Sequence, residues 1–488
     1  MTPATDRTVR KIDLAEEAER CLLCENAPCS AACKKGDPAR AVRAVRFDNA
    51  ALAGRWFAPC GEADLAAAEE ACIHPDRPVR LREIAAAVPA PAPQVPLPSL
   101  ETTFCGIPCE SPFFLASSAV CTNYDMVAAA FEAGWAGVFY KTICFQEINE
   151  VSPRFDAVKS AEGGFAGFRN MEQLSENPVE EDFAILRRLK ENYPGKVVVA
   201  SIMGQTEEQW IELARMAEAA GVDAIELNFS CPQMRLAGMG SDVGQNSELV
   251  AFYTIYVKRA VKIPVIPKMT PNVASMTSVA MAAHLAGADG ISAINTIKSV
   301  TMGGDVSEKR TISGYSGKAV KPIALRFILE MAKNPLMKGL QLSGIGGIAT
   351  WRDALEFIQL GCRNVQVCTA VMEFGYRIID DLTLGLQTYM ASRGVSSVEE
   401  LVGEELDRFV RPSDLDRDTV VYPVIDRTRC IGCGRCYVSC RDGGHQAISF
   451  GEDRQPKILG AKCVGCHLCR LVCPTGAMGI SKRVPKKK

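Results

Sequence analysis

The sequence has no excess of one charge, no long hydrophobic run and no apolar leader. Its 55 Lys and Arg residues nearly balance 57 Asp and Glu residues, for a net charge of −2. Because phosphate binding requires a basic excess, we expect no nucleic-acid partner. No apolar run reaches the ~18 residues of a membrane-spanning helix, and the N-terminus lacks the apolar core of a secretory signal. These absences indicate a cytoplasmic protein without a membrane partner.

The chain also lacks the cysteine density of a disulfide scaffold, yet it contains 21 Cys residues. Six lie within residues 1–72, eight within 430–488 and seven between them. Thiols stay reduced in a reducing cytosol, so this number of cysteines indicates metal or redox chemistry. The length of 488 residues predicts two or three domains. We therefore expect metal-rich ends around a catalytic or binding core.

Short apolar runs alternate with helical patterns through the middle of the chain. Continuous apolar runs are typical of buried parallel strands. Eight strand–helix units over about 300 residues favour an α/β fold of the (β/α)8 TIM barrel type over an open doubly wound sheet. The predicted strands are 113–117, 138–142, 197–202, 224–228, 265–269, 290–295, 342–345 and 365–369. Helical patterns cover 207–220, 247–261 and 275–285, and Ala-Gly pairs close several helices.

Two changes in composition divide the chain into domains. Alternating prolines favour an extended, semi-rigid spacer, and here they are Pro89, Pro91, Pro93, Pro96 and Pro98. We predict a small helical N-terminal module at 1–84, a linker at 85–100 and the barrel at 101–410. Residues 411–488 would form a cysteine-rich C-terminal domain with a basic tail.

The C-terminal cysteines form two runs with the same spacing, and Pro474 follows the second run. This is the bacterial ferredoxin pattern, in which the fourth Cys of each run ligates the cluster of the other run. We predict one [4Fe-4S] cluster on Cys430, Cys433, Cys436 and Cys473, and a second on Cys463, Cys466, Cys469 and Cys440. Zinc knuckles and disulfides fit less well, since a zinc site does not require a doubled run. We interpret His467 as a surface residue and not as a ligand.

Polar residues follow several predicted strands, where the catalytic groups of a barrel lie. Lys141 and Thr142 end the second strand, Asn228 the fourth and Lys268 the fifth. Lys and Asn at these positions suit a planar polar ring. The Gly-rich backbone at 344–348, after the seventh strand, and the turn after the eighth are typical of a phosphate site.

The segment Glu226-Leu227-Asn228-Phe229-Ser230-Cys231-Pro232 resembles the active-site loop of the dihydroorotate dehydrogenase family. Residues 313–319 and 346–348 resemble its FMN-phosphate loops. The double-ferredoxin tail narrows the resemblance to dihydropyrimidine dehydrogenases, specifically the FMN and iron–sulfur subunit of the bacterial NAD-dependent type. The resemblance implies FMN contacts from Ser117, Lys141, Thr142 and Lys268, with the phosphate on Gly317, Gly346, Gly347, Cys368 and Thr369. It implies a pyrimidine held by Asn170, Asn228, Ser230, Asn295 and Thr296.

The same resemblance makes Cys231 the general acid. Reduction of the pyrimidine 5,6 double bond takes a hydride from FMN and a proton, which a mostly protonated thiol supplies at pH 7. Asn offers a donor and an acceptor to the alternating N–H and C=O groups of uracil. Residues 234–245, rich in glycine, are predicted to be a mobile lid. We interpret the other barrel thiols as small buried hydrophobes, namely Cys105, Cys109, Cys121, Cys144 and Cys362.

The N-terminal cysteines match a known module at first and then depart from it. Cys21, Cys24, Cys29 and Cys33 resemble the first ligand run of the N-terminal iron–sulfur domain of dihydropyrimidine dehydrogenases and glutamate synthase small subunits. There, the resemblance implies, the first three Cys share a cluster with a distant Gln or Glu, which falls near Ala85 here. Only Cys60 and Cys72 follow. We expect one or two clusters here. If there are two, some of their ligands must be residues other than Cys, and the candidates are His74, Glu83, Glu62, Asp64, Glu69 and Glu70. A degenerate or zinc-binding module stays an alternative.

The leading interpretation is an oxidoreductase that reversibly reduces uracil or thymine to the 5,6-dihydropyrimidine in pyrimidine catabolism. Residues 344–348 are not a dinucleotide fingerprint, so electrons would come from an FAD- and NAD(P)H-binding subunit or a ferredoxin-like donor. The clusters would relay them, the basic tail is interpreted as solvated, and the family implies a homo- or hetero-oligomer. One alternative is another cyclic amide substrate such as dihydroorotate. The other is an electron-transfer subunit whose barrel is only a platform.

Overall fold

The structure, a computed structural model, describes residues 13–90, 96–159, 164–232, 234, 238–301 and 311–486. The chain forms two compact units, residues 1–406 and 407–488. The first contains the N-terminal helices and the barrel, and the second contains the doubled cysteine runs. Within the described ranges, no helix has both the length and the apolar character needed to cross a bilayer.

Eight parallel strands close into a barrel, which confirms the predicted fold class. In chain order they are Phe113–Leu115, Gly137–Phe139, Val197–Ile202, Ala224–Asn228, Val265–Lys268, Gly290–Ala293, Gln341–Ile345 and Cys362–Val367. Each pairs with the next, and the eighth pairs with the first, Val365 opposite Phe113. Nearly every residue of these strands is buried, because helices cover the outside and side chains fill the interior.

Helices connect the strands and cover the barrel. They are Tyr124–Ala133, Val179–Asn192, Glu207–Ala219, Ser247–Ala260, Met276–Leu285, Lys321–Ala332, Trp351–Gln359 and Ile378–Arg393, with short helices at Ser241–Gly244 and Thr369–Phe374. The predicted helix-ending glycines Gly134, Gly221 and Gly287 all have a positive φ. Single 3-10 turns lie at Ala119–Cys121, Lys318–Val320, Pro335–Met337, Val398–Glu400, Leu406–Arg408 and Pro412–Asp414.

Two small sheets supplement the barrel, and the sequence analysis did not anticipate them. A hairpin of Thr102–Phe104 and Ile107–Cys109 precedes the first barrel strand. A four-stranded antiparallel sheet joins two distant loops, with the strands Ile297–Ser299, Ser313–Ser316, Phe165–Asn170 and Phe155–Lys159 in that order. The loops follow the second and the sixth barrel strands, so this sheet lies at the catalytic end of the barrel.

The N-terminal region is helical, as expected, with helices at Leu14–Glu19, Pro28–Ala32, Pro38–Arg46, Ala50–Phe57, Glu62–Glu70 and Leu81–Ala87. These helices share an aliphatic core and also pack on the barrel. The Trp351 indole N–H donates to the Asp48 carbonyl at 3.0 Å, and the Phe47 and Phe374 rings meet edge to face with centroids 5.1 Å apart.

The predicted linker residues do not hold the N-terminal helices away from the barrel. The last helix, Leu81–Ala87, runs into the segment, and Gln387 donates to the Pro98 carbonyl at 2.9 Å. Leu100 is buried in the barrel core. Residues 91–95 lie outside the described part of the chain.

The second unit contains three two-stranded antiparallel sheets and two helices. Thr419–Val420 pairs with Val484–Pro485, Pro423–Ile425 with Met478–Ile480, and Ile448–Ser449 with Lys457–Ile458. The helices are Arg435–Gly443 and Leu468–Leu471, one in each cysteine run. This is a ferredoxin-like arrangement, as predicted.

Candidate active site and thiol cavities

A cavity lies at the carboxyl ends of the barrel strands, and its volume is about 1190 Å³ when the solvent-filled space at its opening is included. Every barrel residue predicted for FMN or pyrimidine lines it except Ser230. These residues are Ser117, Lys141, Thr142, Asn170, Asn228, Cys231, Lys268, Asn295, Thr296, Gly317, Gly346, Gly347, Cys368 and Thr369. The fold therefore brings together side chains that are up to 252 residues apart in sequence (117 to 369).

Two buried lysines enter the cavity, and each has a carboxylate partner. The Lys141 ammonium lies 2.8 Å from Glu172, and the Lys268 ammonium lies 3.3 Å from Glu226. All four side chains are at most 7% exposed. Arg154 also contacts Glu172, at 3.2 Å. The cavity therefore contains positive groups whose charge is already balanced.

A row of polar side chains links four strand ends. Asn228 donates to the Thr142 hydroxyl at 2.8 Å and accepts from the Ser230 hydroxyl at 2.8 Å. Asn295 donates to Ser230, also at 2.8 Å, and Ser117 lies 3.1 Å from Thr142. Ser230 has no exposed surface and supports the two amides from behind. Its predicted direct contact with the substrate stays a prediction.

Glycines form one end of the cavity, where backbone segments approach closely. Gly346 and Gly347 have φ of +124° and +78°. A Cβ on Gly347 would lie 2.9 Å from the Lys321 nitrogen and 3.0 Å from the Gly317 carbonyl oxygen, so no side chain fits. Cys368 and Thr369 close the same end, and burial raises the pKa of the Cys368 thiol. This cradle, free of side chains, fits the phosphate end of a flavin nucleotide.

Cys231 is 5% exposed and faces the cavity from the loop after the fourth strand. Its carbonyl accepts from the Ser241 N–H at 2.9 Å, which ties this loop to the helix Ser241–Gly244. The predicted lid covers residues 234–245, of which residues 235–237 lie outside the described part of the chain, as does residue 233 just before it. Met239 and Val243 are buried, so the second half of that region packs against the Cys231 loop. The lid stays a prediction.

Several residues of the cavity escaped the sequence analysis. Glu172, Gln173, Phe168 and Tyr315 reach it from the antiparallel sheet or from the chain directly after one of its strands, and Gln366 from the eighth strand. No local pattern could have identified them, because the sheet forms from loops that are distant in sequence. Of the thiols interpreted as hydrophobes, Cys109, Cys121, Cys144 and Cys362 are buried, and Cys105 is partly buried.

The second unit has two cavities, each surrounded by four thiols. One, of about 340 Å³, is lined by Cys430, Cys433, Cys436 and Cys473. The other, of about 330 Å³, is lined by Cys440, Cys463, Cys466 and Cys469. The structure thus groups the thiols as the crossed ferredoxin pattern predicts. His467 lines the second cavity but bonds through Nε2 to the Val421 carbonyl at 2.9 Å, so it is partly buried rather than a surface residue.

Backbone N–H groups point at the fourth thiol of each run. Ala447 N–H donates to the Cys440 sulfur at 3.3 Å, and Ala477 N–H donates to the Cys473 sulfur at 3.2 Å. Burial alone would raise the pKa of the Cys473 thiol, but the Thr475 side chain and the N–H groups of Thr475, Ala477 and Met478 lower it. Such donors stabilise a thiolate and thus a bond to iron.

The N-terminal thiols separate into a group of four and a pair. Cys21, Cys24, Cys29 and Cys72 line a cavity of about 440 Å³, and burial with the neighbouring Cys21 and Cys72 raises the pKa of Cys29 to about 11. The sulfurs of Cys33 and Cys60 lie 3.5 Å apart, outside the residues that line that cavity. The fourth member of the group is therefore the distant thiol of Cys72. The position near Ala85, where the related module has a Gln or Glu, is not part of the group.

Of the predicted non-Cys ligands, only His74 lines this cavity. Its Nδ1 accepts from the Asp76 N–H at 3.3 Å and lies 3.2 Å from an Arg20 nitrogen. Glu62, Glu69 and Glu83 pair with arginines, and Asp64 accepts from the Gly61 N–H. Among the described residues, no three His, Cys, Asp or Glu side chains converge on one metal ion. A cubane binds its four thiolates through separate irons, so its ligands surround a larger space.

Comparison with known proteins agrees with this architecture. Residues 99–390 match the dihydroorotate dehydrogenase family, and residues 423–480 match the 4Fe-4S dicluster domain. The first 98 residues lie outside both matches. "NAD-dependent dihydropyrimidine dehydrogenase subunit PreA" of Escherichia coli (strain K12) is 53% identical over 390 residues, which cover 78% of this chain and 95% of that protein.

Two further relatives are similar over a shorter part of the chain. "Dihydropyrimidine dehydrogenase (NADP(+)), chloroplastic" of Arabidopsis thaliana is 38% identical over 339 residues, which cover 65% of this chain and 79% of that protein. "Dihydroorotate dehydrogenase B (NAD(+)), catalytic subunit" of Pyrococcus abyssi is 36% identical over 312 residues, which cover 62% and 98%. The chain therefore belongs to the family of dihydroorotate and dihydropyrimidine dehydrogenases, as an oxidoreductase with a C-terminal 4Fe-4S dicluster domain.

Proposed function

We propose that the chain reversibly reduces the 5,6 double bond of uracil or thymine with electrons from a separate donor. The observation that carries this proposal is one cavity lined by the Asn170, Asn228 and Asn295 amides and the Cys231 thiol, with a glycine cradle at one end. The name of the relative that is 53% identical supports the same substrate class.

The cavity fits FMN in shape and in charge. The cradle of Gly317, Gly346 and Gly347 would take the phosphate, and Lys141 and Lys268 would lie beside the polar ring. When bound, FMN would supply the hydride. The protein would supply the balanced positive charge, the closed walls and the orientation of the ring.

The substrate would be a neutral pyrimidine. An amide places a donor and an acceptor in one plane, which matches the alternating C=O and N–H groups of uracil. A carboxylate such as that of dihydroorotate would need a cation with charge to spare. Both buried lysines of the cavity already have carboxylate partners, Glu172 and Glu226. This arrangement favours the uncharged ring over dihydroorotate.

Cys231 would provide the proton. A thiol is mostly protonated at pH 7, and the Cys231 side chain, which is 5% exposed, lies in the wall of the cavity. In the reverse direction the same sulfur would take the proton back. The loop that carries it is fixed by the bond from Ser241, so the thiol would meet the ring in a constant position.

We also propose three [4Fe-4S] clusters. Two would occupy the crossed cavities of the second unit, and one would be bound by Cys21, Cys24, Cys29 and Cys72. Cys33 and Cys60 would stay outside a cluster. The donor would be an FAD- and NAD(P)H-binding subunit or a ferredoxin-like protein in the cytoplasm, where thiols stay reduced. The chain would work within an oligomer.

The test is flavin reoxidation in anaerobically purified protein. After photoreduction, uracil or thymine should reoxidise the flavin at least about 100-fold faster than orotate or buffer does. Cys231→Ala should slow this step by a similar factor and leave the flavin bound. Cys362→Ala, which removes a fully buried barrel thiol outside the cavity, is the matched control and should react like the parent. Equal rates with uracil and with buffer would refute the proposal.

A further inference from the structure

Glu226 is a buried carboxylate to which neither the motif nor the proposed chemistry gives a role. It lies two residues before Asn228 on the fourth barrel strand and has no exposed surface. Its Oε1 accepts from the Ser201 hydroxyl at 2.9 Å and from the Lys268 ammonium at 3.3 Å. Within the described residues, its Oε2 has no hydrogen-bond partner. A buried ion pair with an unsatisfied oxygen contributes little to stability, so its presence indicates another role.

A continuous chain of hydrogen bonds begins at this carboxylate. Ser201 has one hydroxyl proton, and it donates that proton to Glu226. The 2.9 Å contact between Ser201 and Thr142 must therefore have Thr142 as the donor. Thr142 in turn accepts from the Asn228 amide at 2.8 Å. Because a carboxylate only accepts, it determines the direction of the two hydroxyl bonds in this chain, from Ser201 to Glu226 and from Thr142 to Ser201.

The chain and the Ser230 backbone N–H require the same orientation of the Asn228 amide. The Asn228 nitrogen must face Thr142, so its oxygen faces Ser230, whose hydroxyl and N–H both donate to it. Asn295 then donates to the Ser230 hydroxyl at 2.8 Å. If Thr142 donated toward Asn228 instead, the amide oxygen would have to face Thr142 and the amide would lose its bond from the Ser230 N–H.

Glu226 also places a negative charge next to the Lys268 ammonium. The Lys268 side chain is 4% exposed and lines the cavity, while Glu226 lies behind it in the barrel interior. In a buried site a charge acts over several ångströms with little screening. A ring that gains electrons in this cavity would be stabilised by the ammonium and destabilised by the carboxylate.

We propose that Glu226 is a positioning residue that acts through Lys268 and through the Ser201–Thr142–Asn228 chain. Its charge lowers the reduction potential of the bound flavin, and its acceptor character supports, together with the Ser230 N–H, the orientation of the amide that receives the pyrimidine. The inference rests on the proposed function, because it takes a flavin and a pyrimidine as the occupants of the cavity.

The first test compares flavin potentials by anaerobic spectroelectrochemistry of the full chain. Glu226→Gln removes the charge, so at a given potential the ratio of reduced to oxidised flavin should rise at least about tenfold, which is about 30 mV for a two-electron couple. Glu226→Asp keeps the charge and should stay within about twofold of the parent. Asp223→Asn, which neutralises a carboxylate paired with Lys190 just before the same strand, should also stay within that limit. A tenfold rise in either control, or none in Glu226→Gln, would overturn the proposal.

The second test separates the hydrogen-bond chain from the charge. Ser201→Ala interrupts the chain but leaves the carboxylate in place, so the potential should stay at the parental value. Uracil binding, measured by its effect on the flavin spectrum, should weaken at least about fivefold. Unchanged binding in Ser201→Ala would overturn the positioning role even if Glu226→Gln were too unstable to bind flavin. A parent chain whose flavin spectrum does not respond to uracil would instead refute the proposed function.

Discussion

The two cysteine-rich ends of the chain hold their thiols in different ways. In the second unit, eight thiols line two cavities, and Cys436, Cys440 and Cys469 belong to the small buried core itself. At the N-terminus, four thiols line one cavity, and Cys21, Cys29 and Cys72 only pack against a core formed mainly by Ala, Val and Leu side chains. The C-terminal arrangement follows from local spacing, whereas the N-terminal one requires residues 21–29 and 72 to meet. We therefore expect a cluster to be a structural element in the second unit, and the proposed N-terminal cluster to be an added group.

The largest expected effect is on the second unit when iron is removed. Chelation under anaerobic conditions should unfold residues 411–488, because few apolar side chains remain to hold them together and cluster binding is coupled to folding. The N-terminal helices and the barrel should stay folded. Limited proteolysis with mass spectrometry would measure this: cuts should appear within 411–488 and not within 13–90. Equal cutting at both ends would show that the N-terminal helices depend on iron as much as the second unit does, and would contradict this prediction.

The next effect is on iron content. The parent should contain about 12 irons per chain, and Cys72→Ser should reduce this to about 8, because the N-terminal cubane loses its fourth thiolate. Cys60→Ser is the matched control, since it changes an N-terminal thiol outside the cavity and should leave about 12. Iron and acid-labile sulfide assays on anaerobic protein would measure both. A loss of iron in Cys60→Ser would place a further cluster at that pair.

A third effect concerns the ion network that closes the N-terminal cavity. Glu17, which is 2% exposed and precedes Cys21, is bound by Arg77 at 2.8 Å and by Arg80 at 2.9 Å, both of which follow Cys72. Burial alone would raise the pKa of Glu17, but hydrogen bonds from Arg77, Arg80 and Arg20 hold it well below its ordinary range. A lowered pKa adds stability above the ordinary value of about 4.3, and this stability is lost as the pH falls below it.

Acidification should therefore loosen the N-terminal cavity progressively as the pH falls below about 5. Glu17→Gln should loosen it at pH 7 already, at a cost of about 1–2 kcal/mol, because Arg77 and Arg80 lose a charged partner but are partly exposed to water. Hydrogen exchange of residues 14–33 and 72–84, followed by mass spectrometry, would measure both effects. Glu83→Gln, which removes a more exposed partner of Arg80, should change exchange little. Equal protection in Glu17→Gln and the parent would contradict the proposed closure.

The smallest expected effect is that of His74. It lines the N-terminal cavity, but its Nδ1 is engaged by Asp76 and Arg20. His74→Ala should therefore keep the full iron content and reduce the free energy of unfolding by only about 1 kcal/mol. The iron assay and thermal unfolding would measure these two quantities. Loss of about four irons would identify His74 as a ligand and weaken the four-thiol assignment.

Much of the fold was predictable because its signals are local. A buried strand such as Val197–Ile202 is a continuous apolar run, and the predicted glycines do end their helices. The crossed thiol groups of the second unit follow from spacing alone. Lys141, Asn228 and Lys268 could be selected because strand ends of a barrel converge.

The rest depends on contacts between segments that are distant in sequence. The sheet that brings Asn170 and Glu172 to the cavity pairs residues 165–170 with 313–316, and no local pattern encodes that pairing. Ser230 lies in the same motif as Cys231, but only the packed strands show that it links the Asn228 and Asn295 amides. The role of Glu226 could not emerge from the motif, because it arises from Ser201 and Lys268 on neighbouring strands.

The sequence by itself therefore determined the barrel, the ferredoxin-like unit and most of the residue types that line the cavity. Apolar periodicity and fixed cysteine spacing act within a few residues, and a single chain displays them. Only the tertiary structure decided which N-terminal thiols form a group, which carboxylate balances each lysine and how the Asn228 amide is oriented. Those outcomes depend on burial and on hydrogen-bond direction, which exist only after strands and helices from different parts of the chain have packed together.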